Sequence, residues 1–275
     1  SAVKEYALEH GLPVLQPVKM KDPEFIEQLR SYKADLQVVV AFRMLPEVVW
    51  DMPRFGTFNV HAALLPQYRG AAPINWAVIN GETKTGVTTF FLDHDIDTGR
   101  IIMQREFPIP DDADVEYVYD GLMELGAGIC QDTVDLVIST DGNVPSQPQR
   151  EDIELKAAPK IFKETCQIDW NNNAKRIYDF VRGLSPYPGT WTTLASNSET
   201  EKTDASVMKI FKTAKTGTSC AGVEPGTLKT ESNHLLVATN DEWLDIVELQ
   251  AAGKKRMAAR DFLNGFKHIA DMHMK

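Results

Sequence analysis

The spacing of apolar residues changes part-way along this chain, and that change constrains the fold more than any other feature of its 275 residues. Up to about residue 144, runs rich in Val, Ile and Phe alternate with segments that have helical spacing. After residue 184, short apolar runs follow one another closely and are separated by Gly, Asn and Asp. The chain therefore predicts an α/β unit followed by a smaller β unit.

The first part has the pattern of a Rossmann-like, doubly wound parallel sheet. Its run at 36–41 is β-branched, as in strands that are buried on both faces. Asp22 followed by Pro23 predicts the start of a helix. Other strands are predicted at 14–15, 57–61, 86–92 and 100–107, and other helices at 2–10, 45–50, 71–80 and 114–139. We assign residues 1–144 to this α/β domain.

The remaining residues predict a linker and a barrel. Residues 145–165 contain Pro and Gln without periodicity, which indicates a linker. After a helix predicted at 174–184, five short strands are predicted at 191–194, 206–211, 226–229, 235–238 and 243–248. Five short strands fit a small OB-like β-barrel, which we assign to residues 166–275.

Charge and cysteine content exclude some classes of function. The net charge of −10 argues against a general nucleic-acid binder. Residues 151–275 carry 17 Lys and Arg against 17 Asp and Glu, so the negative charge lies in residues 1–150. The three cysteines are an odd number, lie far apart and form no disulfide or metal pattern. We expect a protein of the reducing cytoplasm, without a signal peptide or a membrane span.

Asn59, His61 and Asp97 are the candidate catalytic residues. Asn59 and His61 are two apart at the end of a predicted strand, so their side chains share one face. Ligands of open α/β sheets bind at such strand ends. Asp97 lies in a later turn, from which its carboxylate could orient and charge the imidazole. This set suits acyl transfer to an amine, although each residue alone also fits a structural role in a turn or core.

Two groups of motifs resemble a known family. The segments NVHAALLP (59–66), RGAAP (69–73) and DTG (97–99) resemble the folate-dependent formyltransferases. Further segments resemble the branch that acts on methionyl-tRNA: APKI (158–161), IDW (168–170), RGLSPYPGTW (182–191), GKKRM (253–257) and DFLNG (261–265). The resemblance extends from the first residues to about Gly265.

This resemblance implies a reaction, substrates and site residues. The formyl group of 10-formyltetrahydrofolate would move to the α-amine of initiator methionyl-tRNA, with Asn59, His61 and Asp97 as catalytic residues and no metal. Folate contacts would come from Ala63, Leu64, Leu65, Pro66, Asp93, His94, Asp95 and Ile96. Contacts with tRNA phosphates would come from Lys254, Lys255, Arg256 and Arg260. We expect a cytoplasmic monomer.

Several alternatives stay open at this point. The acceptor could instead be an amino-sugar nucleotide, although the motifs after residue 250 favour tRNA. The family precedes the first helix of this chain with a strand, a helix and another strand, so we expect about thirty or more residues to be absent before Ser1. A non-catalytic tRNA- or folate-binding chain is the third hypothesis. Arg43 stands where the family usually has Gly, and either changes the rim of the folate pocket, reaches a phosphate or is a surface charge.

Overall fold

The structure is a computed structural model that describes residues 1–40, 44–196, 206–266 and 269–275. Arg43, whose role the sequence leaves open, lies outside the described residues. The seven α-helices of the described chain are α1 (Ala2–Glu9), α2 (Pro23–Ser31), α3 (Glu47–Trp50), α4 (Pro73–Ile79), α5 (Val115–Ser139), α6 (Ala174–Gly183) and α7 (Ala259–Gly265). None of these helices combines the length and apolarity that a membrane crossing needs.

The described chain has thirteen β-strands, several of which are only two or three residues long. They are β1 (Gln37–Val40), β2 (Thr57–His61), β3 (Arg69–Gly70), β4 (Lys84–Phe91), β5 (Ile101–Pro108), β6 (Ala157–Ala158), β7 (Thr190–Ser196), β8 (Ser206–Ser219), β9 (Leu228–Glu231), β10 (His234–Ala238), β11 (Glu242–Ala251), β12 (Met257–Ala258) and β13 (Met272–Met274). Short 3-10 helices cover Glu164–Cys166 and Ile269–Asp271.

The first sheet has the strand order β1-β2-β4-β5. β1 pairs with β2 in parallel, with Val39 opposite Asn59. β2 pairs with β4 antiparallel, with Asn59 opposite Phe90 and His61 opposite Thr88. The sheet is therefore mixed among its described strands. Its parallel part fits the predicted doubly wound pattern, whereas the sequence did not predict the antiparallel pair.

The second large sheet curves into a nearly closed barrel with the order β13-β7-β8-β11-β10-β9, and β12 pairs with β11. The two end strands approach each other at Gly226, where the Met274 amide donates to the Gly226 carbonyl at 2.9 Å. Gly226 has φ +90°, and a Cβ there would lie 2.1 Å from the Met274 oxygen. Only glycine fits this closure. Eighteen buried residues, among them Ile210, Leu235 and Leu244, form the hydrophobic core inside it.

The chain divides into two compact units, and the limits of these units differ from the predicted domain boundaries. Unit 1 comprises residues 1–61, 88–104 and 128–150. Unit 2 comprises residues 62–87, 105–127 and 151–275. The domain assignment made from the sequence (1–144, 145–165 and 166–275) stays a prediction about folding and function.

Helix α6 illustrates how the sequence sets local structure in unit 2. Asn173 is its N-cap and accepts a hydrogen bond from the Arg176 amide at 2.8 Å. Asp241, between β10 and β11, accepts another from the Ala174 amide at 2.8 Å. Two side chains therefore satisfy the first amides of this helix. The helix packs closely on α4, because a Cβ on Gly183 would lie 2.6 Å from Ile79 Cγ1.

Most predicted elements lie within a few residues of the observed ones, and β2 matches its predicted range. The prediction of a strand at 14–15 is wrong, since these residues adopt irregular structure. Two apolar residues flanked by Pro13 and Pro17 are too short a run to identify a strand. The predicted linker makes two strand-like pairings, one in each unit: Gln147 pairs with Ile101, and β6 pairs with β3.

Candidate active site

His61 ends strand β2 in unit 1 and is almost completely buried. Its ring lies edge-on to Phe90, with centroids 6.3 Å apart. His61 Nδ1 is 3.8 Å from Asp97 Oδ2, and the Asp97 side chain is only 11% exposed. This separation exceeds that of a direct hydrogen bond and suits an ion pair or a bridging water. The pair is shielded from bulk solvent, which strengthens the effect of the carboxylate on the imidazole.

Asp97 is held in an unusual backbone conformation. Its φ is +56°, in the left-handed region that few residues other than Gly, Asn and Asp adopt. Gly99 follows two residues later, and a Cβ there would lie 1.7 Å from the Phe91 carbonyl oxygen. The turn therefore needs glycine at position 99 and comes back onto the end of β4. This close return directs the Asp97 carboxylate toward β2.

Asn59 lies two residues before His61 on the same strand, so both side chains project from one face. The residue is half-buried, and its Oδ1 is fully buried with no hydrogen-bond partner among the described residues. An unpaired buried amide oxygen costs roughly 1–3 kcal/mol. Such atoms in native proteins call for an explanation, and a ligand that supplies the missing donor is one.

The loop at 93–96 is exposed and shaped by its own polar groups. The Asp93 carboxylate accepts from the His94 amide at 2.7 Å, and the Thr98 hydroxyl donates to the Asp95 carbonyl at 3.1 Å. The His94 ring lies edge-on to Trp50 at 5.5 Å. The prediction that residues 93–96 contact folate is not tested by this arrangement.

The segment at 63–66, predicted to contact folate, belongs to unit 2. Ala63 and Leu65 are buried, whereas Leu64 and Pro66 are half-buried. Leu64 Cδ2 lies against Gly86, where a Cβ would be 2.6 Å away. The inward side chains thus serve packing, so any contact of Ala63 or Leu65 with a ligand would use the backbone. The folate role of these residues stays a prediction.

Tyr68, in the same unit, fixes the segment before Arg69. The Tyr68 amide donates to the Lys156 carbonyl at 2.6 Å, and its hydroxyl donates to Glu82 at 2.5 Å. Burial, together with the Glu82 hydrogen bond, raises the pKa of Tyr68. Burial alone would raise the pKa of Glu82, but hydrogen bonds from Lys156 and Tyr68 lower it. Tyr68 therefore stays a hydrogen-bond donor at neutral pH.

The four predicted tRNA-contacting residues differ in their surroundings. Lys254 and Lys255 lie in an exposed turn between β11 and β12. Arg256 pairs with Glu248 at 2.5 Å and lies over the Phe211 ring at 4.4 Å. Arg260, in the first turn of α7, is exposed and 3.8 Å from Asp261. The two lysines are the more available for phosphate contacts, since the charge of Arg256 is partly neutralised.

Two family models match this chain in succession. Residues 1–134 match the model described as formyl transferase, and residues 160–267 match the formyl transferase C-terminal domain. The chain belongs to the formyl transferase family. The resemblance of the motifs at 59–73 and 97–99, and of the later motifs, is confirmed.

Curated relatives of this formyl transferase are similar over nearly its whole length. A methionyl-tRNA formyltransferase of Parabacteroides distasonis is 58% identical over 276 residues, covering 98% of this chain and 83% of the relative. A methionyl-tRNA formyltransferase of Bacteroides fragilis is 56% identical and covers 100% of this chain and 84% of the relative. These relatives confirm the narrower resemblance to the tRNA branch.

Solved structures confirm the fold. WlaRD, a sugar 3N-formyl transferase solved in the presence of dTDP and 5-N-formyl-THF, superposes with a TM-score of 0.64 at 18% identity. The match covers 92% of this chain and 82% of that one. At this identity the similarity concerns the fold alone, so it carries no argument about the acceptor.

One buried residue that contacts the Asp97 turn was not predicted from the sequence. Gln149, inside the predicted linker, donates from its side-chain amide to the carbonyls of Asp97 and Gly99 at 2.8 and 2.9 Å. It is 9% exposed. No local pattern identifies such a residue, because its partners are about fifty positions away.

Within the described ranges, no group of three or more His, Cys, Asp or Glu is arranged to hold a metal ion.

Proposed function

We infer that this formyl transferase moves the formyl group of 10-formyltetrahydrofolate to the α-amine of methionine on initiator tRNA. Its similarity to curated methionyl-tRNA formyltransferases over nearly the whole chain supports this substrate pair. The observation that carries the chemistry is the buried His61–Asp97 pair with Asn59 on the same strand face. This arrangement supports a reaction in which the amide and the imidazole act on one formyl group and the carboxylate acts on the imidazole.

Asn59 is proposed to stabilise the oxygen of the tetrahedral intermediate. When the amine attacks the formyl carbon, negative charge develops on the formyl oxygen. The Asn59 amide nitrogen can donate to that oxygen, an effect typically worth about 3–4 kcal/mol. Its buried Oδ1, which lacks a partner among the described residues, would then accept from the attacking amine. Both ends of the amide would be satisfied only while substrates are bound.

His61 and Asp97 are proposed to assist the transfer of a proton from the amine to the departing folate nitrogen. Asp97 stabilises the protonated imidazole through the 3.8 Å approach of its Oδ2. His61 then acts either as the general acid toward the folate nitrogen or as a charged donor to the formyl oxygen. Proton transfer by a positioned histidine typically contributes about 10²–10⁴-fold to the rate. No covalent intermediate is needed, since amine attack and expulsion of the folate nitrogen complete the transfer.

Residues of the barrel region are proposed to bind the tRNA. Lys254 and Lys255 present free positive charge in an exposed turn, and Arg260 is exposed nearby in sequence. Contacts of this kind position a nucleic acid through its phosphates. The neutral charge balance of residues 151–275 permits a local basic surface on an acidic protein. We further propose a monomer that works in the cytoplasm, where charged initiator tRNA is used.

The test is a transfer assay with two acceptors offered separately. The chain is incubated with 10-formyltetrahydrofolate and either charged initiator methionyl-tRNA or an amino-sugar nucleotide. Formation of formylmethionyl-tRNA alone is the expected result. Formylation of the sugar alone would overturn the acceptor while keeping the chemistry.

A matched pair of variants tests the tRNA-binding residues. Lys254→Ala with Lys255→Ala should raise the KM for tRNA and lower the salt dependence of binding by about one unit of slope per lost phosphate contact. The control is Lys21→Ala with Lys33→Ala, which removes two exposed lysines of unit 1 and therefore the same charge. Equal effects of the two changes would show that net charge alone matters.

A further inference from the structure

The segment at 145–150 lies alongside the turn that carries Asp97, although its sequence predicts only a linker. Ile101 and Gln147 form an antiparallel bridge, with amide-to-carbonyl distances of 2.8 and 2.9 Å in the two directions. The Arg100 guanidinium donates to the Ser146 hydroxyl at 3.0 Å and also to the Ser146 carbonyl. All these residues belong to unit 1. The segment is therefore anchored next to residues 97–101 before Gln149 is reached.

Gln149, in this segment, contacts the backbone of Asp97 directly. Its Nε2 donates to the Asp97 carbonyl at 2.8 Å and to the Gly99 carbonyl at 2.9 Å. A primary amide has two N–H donors, so one side chain serves both carbonyls. The carbonyls flank Thr98, and fixing both of them fixes the turn on either side of it. The left-handed backbone of Asp97, with φ +56°, needs such external support to persist.

We propose that Gln149 is a positioning residue for the reaction, which acts by holding Asp97 in reach of His61. The inference rests on the proposed function, because it assigns Gln149 a kinetic role through the His61–Asp97 pair. Loss of the two hydrogen bonds frees the turn at 97–99 to relax from its left-handed conformation. The carboxylate then moves away from the imidazole, from which it lies 3.8 Å in the parent. A displacement of about 1 Å at such a group typically costs up to 10²-fold in rate.

The first experiment compares Gln149→Met with Gln147→Met in the full chain. Methionine has a similar length but no donor, and Gln147 is an exposed residue of the same segment that pairs through its backbone. We expect Gln149→Met to lower the single-turnover rate of formyl transfer about 10–100-fold. We expect Gln147→Met to match the parent. Equal rates for all three proteins would overturn the proposal.

A double-variant cycle tests whether Gln149 acts through Asp97. In an Asp97→Asn background, Gln149→Met should lower the residual rate less than twofold, since the carboxylate that it positions is gone. If the fold-losses in rate of the two single variants multiply fully in the double variant, Gln149 has a general structural role and the proposal is overturned. Gln149→Glu repeats the test with a side chain of nearly the same shape in case Gln149→Met does not fold.

Hydrogen exchange provides a readout that does not depend on turnover. Peptides covering residues 92–101 should exchange faster in Gln149→Met and Gln149→Glu than in the parent or in Gln147→Met. Unchanged exchange would show that Gln149 does not hold the turn. A parent that formylates neither acceptor would count against the proposed function, and the exchange result would still decide the structural part of this inference.

Discussion

Two polar clusters in this protein are built in opposite ways. In unit 1, His61 and Asp97 approach only to 3.8 Å, and Asn59 Oδ1 has no hydrogen-bond partner among the described residues. In unit 2, the buried Asp179 receives the Arg182 guanidinium at 2.8 Å and the Lys175 ammonium at 2.5 Å. In the first cluster an amide oxygen has no partner among the described residues, whereas in the second the carboxylate is paired with two cations of the protein.

We interpret this difference as one between polar groups that are proposed to act in the reaction and polar groups that stabilise the fold. Arg182 also donates to the Ala113 carbonyl at 2.7 Å, and thereby ties helix α6 to residues 110–113. Arg182 begins one of the motifs that resemble the family, as Asn59, His61 and Asp97 lie in others, so membership in a motif does not distinguish their roles. Changes in the unit 1 cluster should therefore affect turnover, and changes in the unit 2 cluster should affect stability.

The largest effect is expected at His61. His61→Ala and Asp97→Asn should each lower kcat about 10²–10⁴-fold, because they remove or misplace the proton-transferring group. Folate binding should be largely retained, as measured by equilibrium titration. Because changes in the unit 1 cluster should affect turnover and not stability, we expect both variants to have melting temperatures close to that of the parent.

A second His–Asp pair in the chain is the control for this prediction. His234 Nδ1 is 2.7 Å from Asp245 Oδ2 in the barrel, and the His234 side chain is 62% exposed. His234→Ala should leave kcat within about twofold of the parent, since loss of an exposed pair costs little. A near-normal kcat for His61→Ala would refute the catalytic assignment.

The next largest effect is expected at Arg182 and concerns stability. Arg182→Met leaves Asp179 buried without one of its two cationic partners, which typically costs about 3–5 kcal/mol of unfolding free energy. Chemical denaturation followed by circular dichroism measures this loss. The double change Arg182→Met with Asp179→Leu should regain part of it, because no buried charge is then left unpaired and Lys175 is half-exposed. A single variant as stable as the parent would show that this cluster is not structural.

A smaller loss is expected at Asp241, which joins the barrel to the start of α6. Its Oδ1 accepts from the amides of Ala174 and Glu242, both at 2.8 Å. Asp241→Ala should lower the unfolding free energy by about 0.5–2 kcal/mol, as for the loss of a helix cap. Asp241→Asn retains an acceptor oxygen and should lose less. Equal losses in the two variants would point to the charge of Asp241 instead of its hydrogen bonds.

The smallest effect is expected at Asp111, an exposed carboxylate. The hydrogen bond from Lys215 lowers the pKa of Asp111, and the same bond raises the pKa of Lys215. Because the folded pKa of Asp111 lies below its ordinary 3.8, the stability from this pair is present above that pH. It is lost as the pH falls through the folded pKa. At high pH, the stability from this pair is lost as the pH rises above 10.5, the ordinary pKa of lysine, and through the raised pKa of Lys215.

Asp111→Asn should therefore cost up to about 1 kcal/mol at pH 7, as exposed pairs do, and less in high salt. The difference from the parent should vanish well below pH 3.8. Denaturant midpoints measured from pH 2 to pH 8 test this, with the neighbouring Asp112→Asn as control. A difference that persists at pH 2 would show that charge is not its cause.

The sequence predicted elements with strong local patterns and missed those that depend on distant partners. β2 and α5 were predicted within a residue, because their apolar spacing and caps are local. β13 has three residues and is fixed by pairing with β7, about eighty positions earlier. The antiparallel pairing of β2 with β4 and the side-chain bonds of Gln149 likewise depend on the tertiary fold. Within the candidate site, the shared strand face of Asn59 and His61 was predictable, but the unpartnered Asn59 oxygen and the left-handed backbone of Asp97 were not.

The most direct test of this contrast is Asn59→Ala, measured for both rate and stability. We expect single-turnover transfer to initiator methionyl-tRNA to fall about 10²–10³-fold, as for loss of an oxyanion donor. We expect the melting temperature to stay within a few degrees of the parent, since Asn59 Oδ1 has no hydrogen-bond partner to lose among the described residues. An Asn59→Ala variant that transfers formyl at the parent's rate would refute the catalytic role of Asn59. So would a variant whose loss of rate is matched by a large fall in melting temperature.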